Sequence, residues 1–440
     1  MSNYAATIVK LEKVWKHSNA DRLQCTHIFG NNVIVGLNAK EGDIGLFFPL
    51  ESQIGAEFAV ANDLIRRKDP TTGKAAGGMF DSNRRVRCQK FRGEESMGFW
   101  IPINSLLKTP GFEDITPSVG LEIEEHNGIT LSKKYIPEHV RTRRASRSSG
   151  NRFQSASRLI PEQFHFHYDT AQLGKNIHNI NPNTLISLTW KLHGTSAIAS
   201  KVLVRDEYQG FKRLVSKIAE WFGVETVNST YDTLYASRNV VKNGKEEQPA
   251  YEITGYDLWT DSAKQFDFKL HNGETVYYEI VGYDSKGGRP IQKMGGYSFD
   301  YGCNPGDYEI YVYRITHTNV DGIVHELAWP QVIERCGQLG LRHVPSIFYG
   351  YAADLFEIPL NNTKEWRDKF LSKIFEVYAG PQDSIFCNNP VPEEGVVLRI
   401  EGLNVKAFKA KSFRFLKGET EMLDTGEIDI ETEQSEEEAA

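Results

Sequence analysis

Residues 189–199 read TWKLHGTSAIA. A lysine, a histidine, a glycine and two small hydroxyl residues are an unusual way to leave a strand. The segment before them, TLISLTWKL (184–192), has the β-branched and aromatic content of one. Extended backbone alternates its side chains, so Ile186, Leu188 and Trp190 share one face while Ser187, Thr189 and Lys191 share the other. The strand therefore has an apolar back and a polar front that ends at Lys191. Gly194 then permits a tight turn, and Thr195 and Ser196 offer hydroxyls to an anionic group such as phosphate. Alone, a lysine at a strand end is an ordinary solvated residue.

Other segments downstream change that reading. VYYEIVG (276–282) carries Glu279 in opposite phase to Val276, Tyr278 and Ile280, and EGVVLRI (394–400) opens an apolar strand with Glu394. FKAKSF (408–413) sets Lys409 and Lys411 two apart, hence side by side on one sheet face. Like charges so placed repel, and an anionic ligand between them resolves the conflict. YVYRI (311–315) places Tyr311 and Tyr313 on one face as stacking surfaces for a base.

The chain has 440 residues, too many for one ordinary core, so two domains are expected. No apolar run approaches the roughly 18 residues that cross a bilayer, and MSNYAATIVK lacks the apolar segment of a secretory signal. Cys25, Cys88, Cys303, Cys336 and Cys387 have no paired spacing for zinc or redox work, which fits buried thiols in a reducing cytosol. The net charge of −7 comes from the end of the chain, where residues 419–440 hold ten acids and no base. Without them 51 bases face 48 acids, and the acidic end reads as a solvated tail.

Residues 1–130 read as a small β-rich module. ATIVKLEKVW, NNVIVGLN, IGLFFPL, RRVRCQKFRG and SMGFWIPI are short apolar runs broken by turn residues, a spacing that suits a closed barrel or a sandwich. A basic, serine-rich linker follows over 131–159, with eight bases and one acid between 133 and 158. From 160 to 417 strands mix with helical spacing in FKRLVSKIAEWFG (211–223) and WPQVIERCGQLG (329–340), which predicts antiparallel sheets flanked by helices. The fold class is α+β, with an acidic tail over 418–440. Two signals are discounted: FHFH (164–167) reads as a strand with a surface pair, His165 and His167, and GKAAGG (73–78) reads as a loop.

The order K-x-H-G, E-x-x-G, aromatic strand, E-G-V-V and K-x-K resembles the covalent nucleotidyltransferases, the superfamily of ATP-dependent ligases and mRNA capping enzymes. His193 with HGTS is closer to RNA ligases than to DNA ligases or capping enzymes, which favour aspartate there. RPIQKMGGYSFDYG (289–302) is similar to the segment after E-x-x-G in double-strand RNA ligases. HSNADRLQC (17–25) resembles a turn of tRNA-binding-type OB domains. An OB-type barrel ahead of a nucleotidyltransferase domain is similar to the Deinococcus-type RNA ligases.

That resemblance implies a chemistry. Lys191 would attack the α-phosphate of ATP and keep AMP, pass it to a 5′-phosphate end, and a 3′-hydroxyl would then displace it. An ordinary lysine, with a pKa of about 10.4, is protonated at neutral pH, and nearby cations such as a metal, Lys409 or Lys411 would ease its deprotonation. Glu394 matches the carboxylate that holds Mg²⁺ or Mn²⁺, and Glu279 the residue that meets the ribose or supports the metal. His193, Gly194, Arg238, Lys409 and Lys411 would line the nucleotide site, with Tyr313 stacking on adenine and Tyr311 as second choice. Trp190 departs from the pattern: related enzymes often place there a glutamate that reads the adenine amino group, and tryptophan cannot accept that hydrogen bond. Backbone carbonyls are the alternative reader. The expected partner is RNA, as a nicked duplex or RNA/DNA hybrid handled in repair by a cytoplasmic monomer. The 1–130 module would grip the duplex through stretches such as RRVRCQKFR, leaving adduct formation to 160–417. Competing readings are a DNA-strand ligase and a nucleic-acid-binding protein with an inactive transferase domain.

Overall fold

The computed structural model describes residues 3–68, 73, 75–137, 158–160, 162–206, 228–238, 240–242, 257–360 and 362–426. The helical pattern at 211–223, most of the basic linker and the acidic residues from 427 onward lie outside the described residues. The fold is mixed α+β and consists mostly of antiparallel sheets. Among the described residues no helix is long and apolar enough to cross a membrane.

Two sheets organise the second half. A five-stranded sheet runs in the order Ala171–Gln172, Lys406–Lys411, Gly395–Ile400, Leu185–Trp190 and Ser346–Tyr351. Its apolar back is the face expected from alternation: Ile186, Leu188, Val396 and Leu398 pack on Trp366, Phe370 and Ile374 of the Thr363–Tyr378 helix. That helix starts where the Asn362 side chain accepts the free N–H groups of Lys364 and Glu365. A larger sheet orders Ser229–Ser237, Thr195–Arg205, Glu274–Gly282, Tyr308–Thr318 and Val324–Glu326, and Arg342–His343 pairs in parallel with Tyr308–Thr318. Val276, Tyr278, Ile280 and Val312 bury one of its faces against Trp329, Val332, Cys336 and Leu339. These four lie on the predicted helix, Trp329–Leu339, which ends on left-handed Gly340.

The opening stretch therefore links two sheets. Leu185–Trp190 belongs to the first and Thr195–Arg205 to the second, so residues 191–194 carry the chain from one to the other. Gly194 is required for closeness and not for a left-handed turn. A Cβ there would lie 2.2 Å from the Ile280 carbonyl oxygen, in the neighbouring strand.

The first 130 residues are β-rich as expected. They form a four-stranded sheet (Phe99–Pro102, Ile44–Phe48, Ala6–Lys10, Glu122–Ile123), a three-stranded sheet (Val14–Lys16, Leu23–Ile28, Asn31–Gly36) and several two-stranded ladders. Among the described residues these ladders do not join into one closed barrel. Ser132–Lys134, read as the start of the linker, pairs with Ser52–Ile54, and Ala75–Gly77, read as loop, pairs with Arg66–Lys68.

This β-rich part is bolted to the last helix, Phe413–Thr425, which crosses into the acid-rich segment. Arg85 donates to both Glu51 oxygens at 2.6 and 2.8 Å and to Asp424 Oδ1 at 2.8 Å. Thr420 Oγ1 donates to Glu51 at 2.9 Å. Arg85, counted in sequence among the duplex-gripping bases, is buried beneath that helix and cannot reach a phosphate.

Candidate active site

Between the front of the five-stranded sheet, the larger sheet, the β-rich part and the Phe413–Thr425 helix lies a cavity of about 690 Å³. Its floor is set by strand register. Lys191 continues the ladder by donating its N–H to the Gly395 carbonyl at 2.9 Å, and Gly395 pairs with Lys411. The next row on the same face is Thr189, Val397 and Lys409, and the one after is Ser187, Arg399 and Ala407. Alternation thus delivers Lys191, Lys409 and Lys411 to one surface, and Glu394 stands just before its strand.

Glu394 is the hub. Its Oε1 lies 2.9 Å from Lys191 Nζ and 3.2 Å from Lys411 Nζ, and its side chain is only 2% exposed. Burial alone would raise its pKa, but Lys191 and Lys411 outweigh that and hold the carboxyl down at about 2. Lys411 also reaches Glu419 Oε1 at 2.8 Å. Burial works against its charge, yet Glu419 and Glu394 hold it well above the usual lysine value. Lys409 is the lysine that burial depresses, together with Lys411, Lys191 and Arg238 and against the pull of Asp169, to about 8.

The opposite wall comes from the larger sheet. Glu279 accepts the Gly194 N–H at 3.0 Å, so it fixes the K-x-H-G crossing as well as lining the cavity. The His193 N–H donates to the Tyr301 hydroxyl at 2.6 Å, while its ring sits edge-on to Phe299 and Phe415. Tyr313 lines the cavity and shares a 2.7 Å hydrogen bond with Ser196. Tyr311 does not line it, and its hydroxyl meets Arg342 instead. Arg238 lines the cavity and pairs with Asp169. The Thr195 hydroxyl, expected to face a phosphate, is buried with no hydrogen-bond partner among the described residues.

Several cavity residues escaped sequence reasoning. His167, read as half of a surface pair on a strand, lies outside any strand and enters the cavity 5.1 Å from the Tyr313 ring. Burial, then Arg314 and Arg238, push its pKa down to about 3, so it is neutral at physiological pH. Glu419 was hidden in an acid-rich run, and Asp169 in a segment without periodicity. Arg399 and Glu326 line the end away from Lys191.

The residues fit a divalent cation in one respect. Glu394 Oε2 is buried with no hydrogen-bond partner among the described residues. Among those residues no group of three or more His, Cys, Asp or Glu could hold a metal. The donor set therefore suits a cation bound largely by phosphate and water oxygens, not a protein cage.

No family model matches the sequence, and no curated protein matches it either. Solved structures do. Naegleria gruberi RNA ligase with PPi superposes with a TM-score of 0.57 at 18% identity, over 94% of this chain and 98% of that one. A mutant of that ligase with ATP and Mn gives a TM-score of 0.54 at 19% identity, over 95% and 98%. At such identity the likeness shows a shared fold along nearly the whole chain.

Proposed function

We propose that this chain is an ATP-dependent RNA ligase that joins 3′-hydroxyl and 5′-phosphate ends through a covalent lysyl-AMP intermediate. One observation carries the reading: Lys191 and Lys411 converge on one oxygen of buried Glu394, in a cavity that also holds Glu279, Tyr313 and Lys409. The shared fold with an RNA ligase supports it. His193 within HGTS favours RNA over a DNA-strand ligase. The complete set of charged residues argues against an inactive transferase.

In the first step Lys191 Nζ, having lost its proton to solvent, attacks the α-phosphorus of ATP. A P–N bond forms, the bond to the α–β bridging oxygen breaks, and pyrophosphate leaves. Lys409 and Lys411 face that phosphate and offset its developing charge, the main task of a site for phosphoryl-type transfer. Tyr313 offers its ring to adenine, and Glu279 holds the crossing that aims Lys191. A divalent cation on Glu394 would neutralise phosphate charge and weaken the carboxylate's hold on Lys191. The AMP then moves to the oxygen of an RNA 5′-phosphate, releasing the lysine, and the 3′-hydroxyl displaces AMP to form the phosphodiester.

The substrate in this reading is a nicked RNA duplex or RNA/DNA hybrid, met by a monomer during repair. An OB-type module over 1–130 belongs to it too. Its support is the adjoining antiparallel sheets and the 17–25 turn, where buried His17 meets the Asn19 N–H and the Phe91 carbonyl. Since Tyr4, Phe29 and Glu51 line the cavity, this module acts in adduct formation as well as in gripping RNA.

The test is incubation with α-labelled ATP and Mg²⁺ or Mn²⁺. Wild type should acquire covalent label, whereas Lys191→Ala and Lys191→Arg should not, because a guanidinium stays protonated. Label persisting in Lys191→Ala would refute the assignment, and faster sealing of nicked DNA than nicked RNA would refute the substrate.

A further inference from the structure

The segment that follows Glu279 on the larger sheet carries charge that the mechanism does not use. After Gly282 the chain makes two excursions, 283–290 and 293–298, on either side of buried Ile291 and Gln292. Ile291 donates its N–H to the Gly282 carbonyl at 2.9 Å, and Phe299 donates to the Gln292 carbonyl at 3.0 Å, so both excursions are tied at their bases. Residues 285–299 contain Lys286, Arg289, Lys293 and four glycines, and no acid. The three cations are exposed, Arg289 by 84% of its side chain, with an Asp284 oxygen 3.9 Å from its guanidinium. Tyr297, on the second excursion, is half exposed.

The tips of both excursions are bare backbone. Lys293–Met294 pairs with Tyr297–Ser298 across a two-residue turn, in which Gly295 and Gly296 have φ of 59° and 84°. A turn of this hand needs left-handed backbone at both positions, which Asn-Gly or Asp-Gly supplies as well as Gly-Gly. A Cβ at either glycine would meet nothing within 4 Å, so protein packing does not demand the second missing side chain. A bare tip lets an anion approach amide N–H groups that a side chain would screen. The first tip repeats the arrangement, with Gly287 and Gly288 between Lys286 and Arg289.

This surface is fixed relative to the nucleophile. Gln292 Nε2 donates to the Gly194 carbonyl at 2.8 Å, and the Tyr301 hydroxyl accepts the His193 N–H, so the segment braces the crossing that carries Lys191. Met294 seats the hairpin on the last helix, where a Cβ on Gly418 would lie 2.0 Å from its Sδ. Arg289, Lys293 and Tyr297 do not line the cavity, so a ligand held by them lies outside the ATP site. Two cationic glycine tips suit a run of phosphates better than one small anion. Resting on the proposed RNA-joining reaction, we propose that the surface from Gly287 to Tyr297 is a second RNA-binding site, which holds the sugar–phosphate backbone beside the break. Arg289 and Lys293 neutralise phosphates, the Gly295 and Gly296 amides donate to a phosphate oxygen, and the Tyr297 hydroxyl donates to another. Contacts of this kind set register without reading sequence, so the ends reach Lys191 whatever their bases.

The test measures binding of the full chain to a nicked RNA duplex as salt is varied, beside covalent labelling by ATP. Arg289→Gln combined with Lys293→Gln should weaken binding roughly tenfold and flatten the slope of log K against log salt by about two, one for each cation lost. Labelling by ATP should keep its wild-type rate, while KM for nicked RNA in sealing rises by a similar factor. Gly295→Asp and Gly295→Asn both keep a favoured turn sequence, so each should keep the wild-type melting temperature. The Asp variant, with a carboxylate at the tip, should bind RNA several-fold more weakly than the Asn variant. Wild-type affinity and salt slope in the double variant would overturn the proposal, as would equal binding by the two Gly295 variants. If the double variant does not fold, the Gly295 pair decides. Binding needs no catalysis, so a wild type that passes these binding tests yet takes no label from ATP would refute the reaction and leave the surface standing.

Discussion

Binding of ATP should draw a proton onto Lys409, and the size of that uptake follows from its surroundings. Burial, Lys411, Lys191 and Arg238 together bring the free residue to about 8 despite Asp169. On that value about three quarters of free chains carry the proton near pH 7.5 and about one in ten near pH 9. Phosphate oxygens placed against the amine favour its charged form. Binding should then take up roughly 0.2 proton near pH 7.5 and roughly 0.9 near pH 9. Affinity must fall as pH rises, by a factor approaching ten per unit above about 9, because the complex needs a proton the free protein has lost. In the free protein the sign differs. Between about 8 and 10.5 the folded chain binds fewer protons than the unfolded one, so this residue's effect on stability improves as pH rises. The assay is calorimetric titration with α,β-methylene-ATP, which cannot release pyrophosphate, in buffers of differing ionisation enthalpy. An uptake that stays flat from pH 7.5 to 9, or that survives in Lys409→Met, would refute the reasoning.

Gly194→Ala places a Cβ 2.2 Å from the Ile280 carbonyl oxygen and should displace the crossing that aims Lys191. A loss of about a hundredfold in adduct formation is expected, since misplacement by ~1 Å has that effect, and a wild-type rate would show that the crossing yields freely. Tyr313→Ala should weaken ATP binding by the ~1–3 kcal/mol typical of base stacking. Tyr313→Phe keeps the ring and loses the 2.7 Å bond to Ser196, so about 0.5–1.5 kcal/mol of stability should go while KM for ATP hardly moves. A KM as poor for Phe as for Ala would end the stacking assignment. Arg85→Met leaves Glu51 with the Thr420 hydroxyl alone and Asp424 with Arg87 alone, and should cost roughly 3 kcal/mol in urea unfolding. Slower adduct formation should accompany that cost, and unchanged values of both would mean that the helix is held by other contacts.

Local pattern was enough to place much of this molecule. Alternation along Leu185–Trp190 and around Glu279 in Glu274–Gly282 separated apolar backs from polar fronts, because in extended backbone the face is settled by residue parity alone. The 3.6-residue spacing of Trp329–Leu339 marked its helix in the same way. Lys191, Lys409 and Lys411 were legible for that reason: each sits at a strand end or on a strand front, and register then aligns them.

What alternation cannot state is which distant residue arrives opposite. Glu419 reaches Lys411 from the part of a helix that composition assigned to the acidic tail. Arg85 meets Asp424 across 339 residues, which turned an apparent RNA-binding base into an internal clamp. His167 became a neutral cavity residue only through the burial and cations that packing places around it. Gly194 looked like a turn glycine, but its necessity lies in the Ile280 carbonyl of a neighbouring strand. Parity and periodicity are properties of neighbours in sequence, whereas charge pairing, desolvation and steric closeness depend on through-space distance, and only the folded chain sets those.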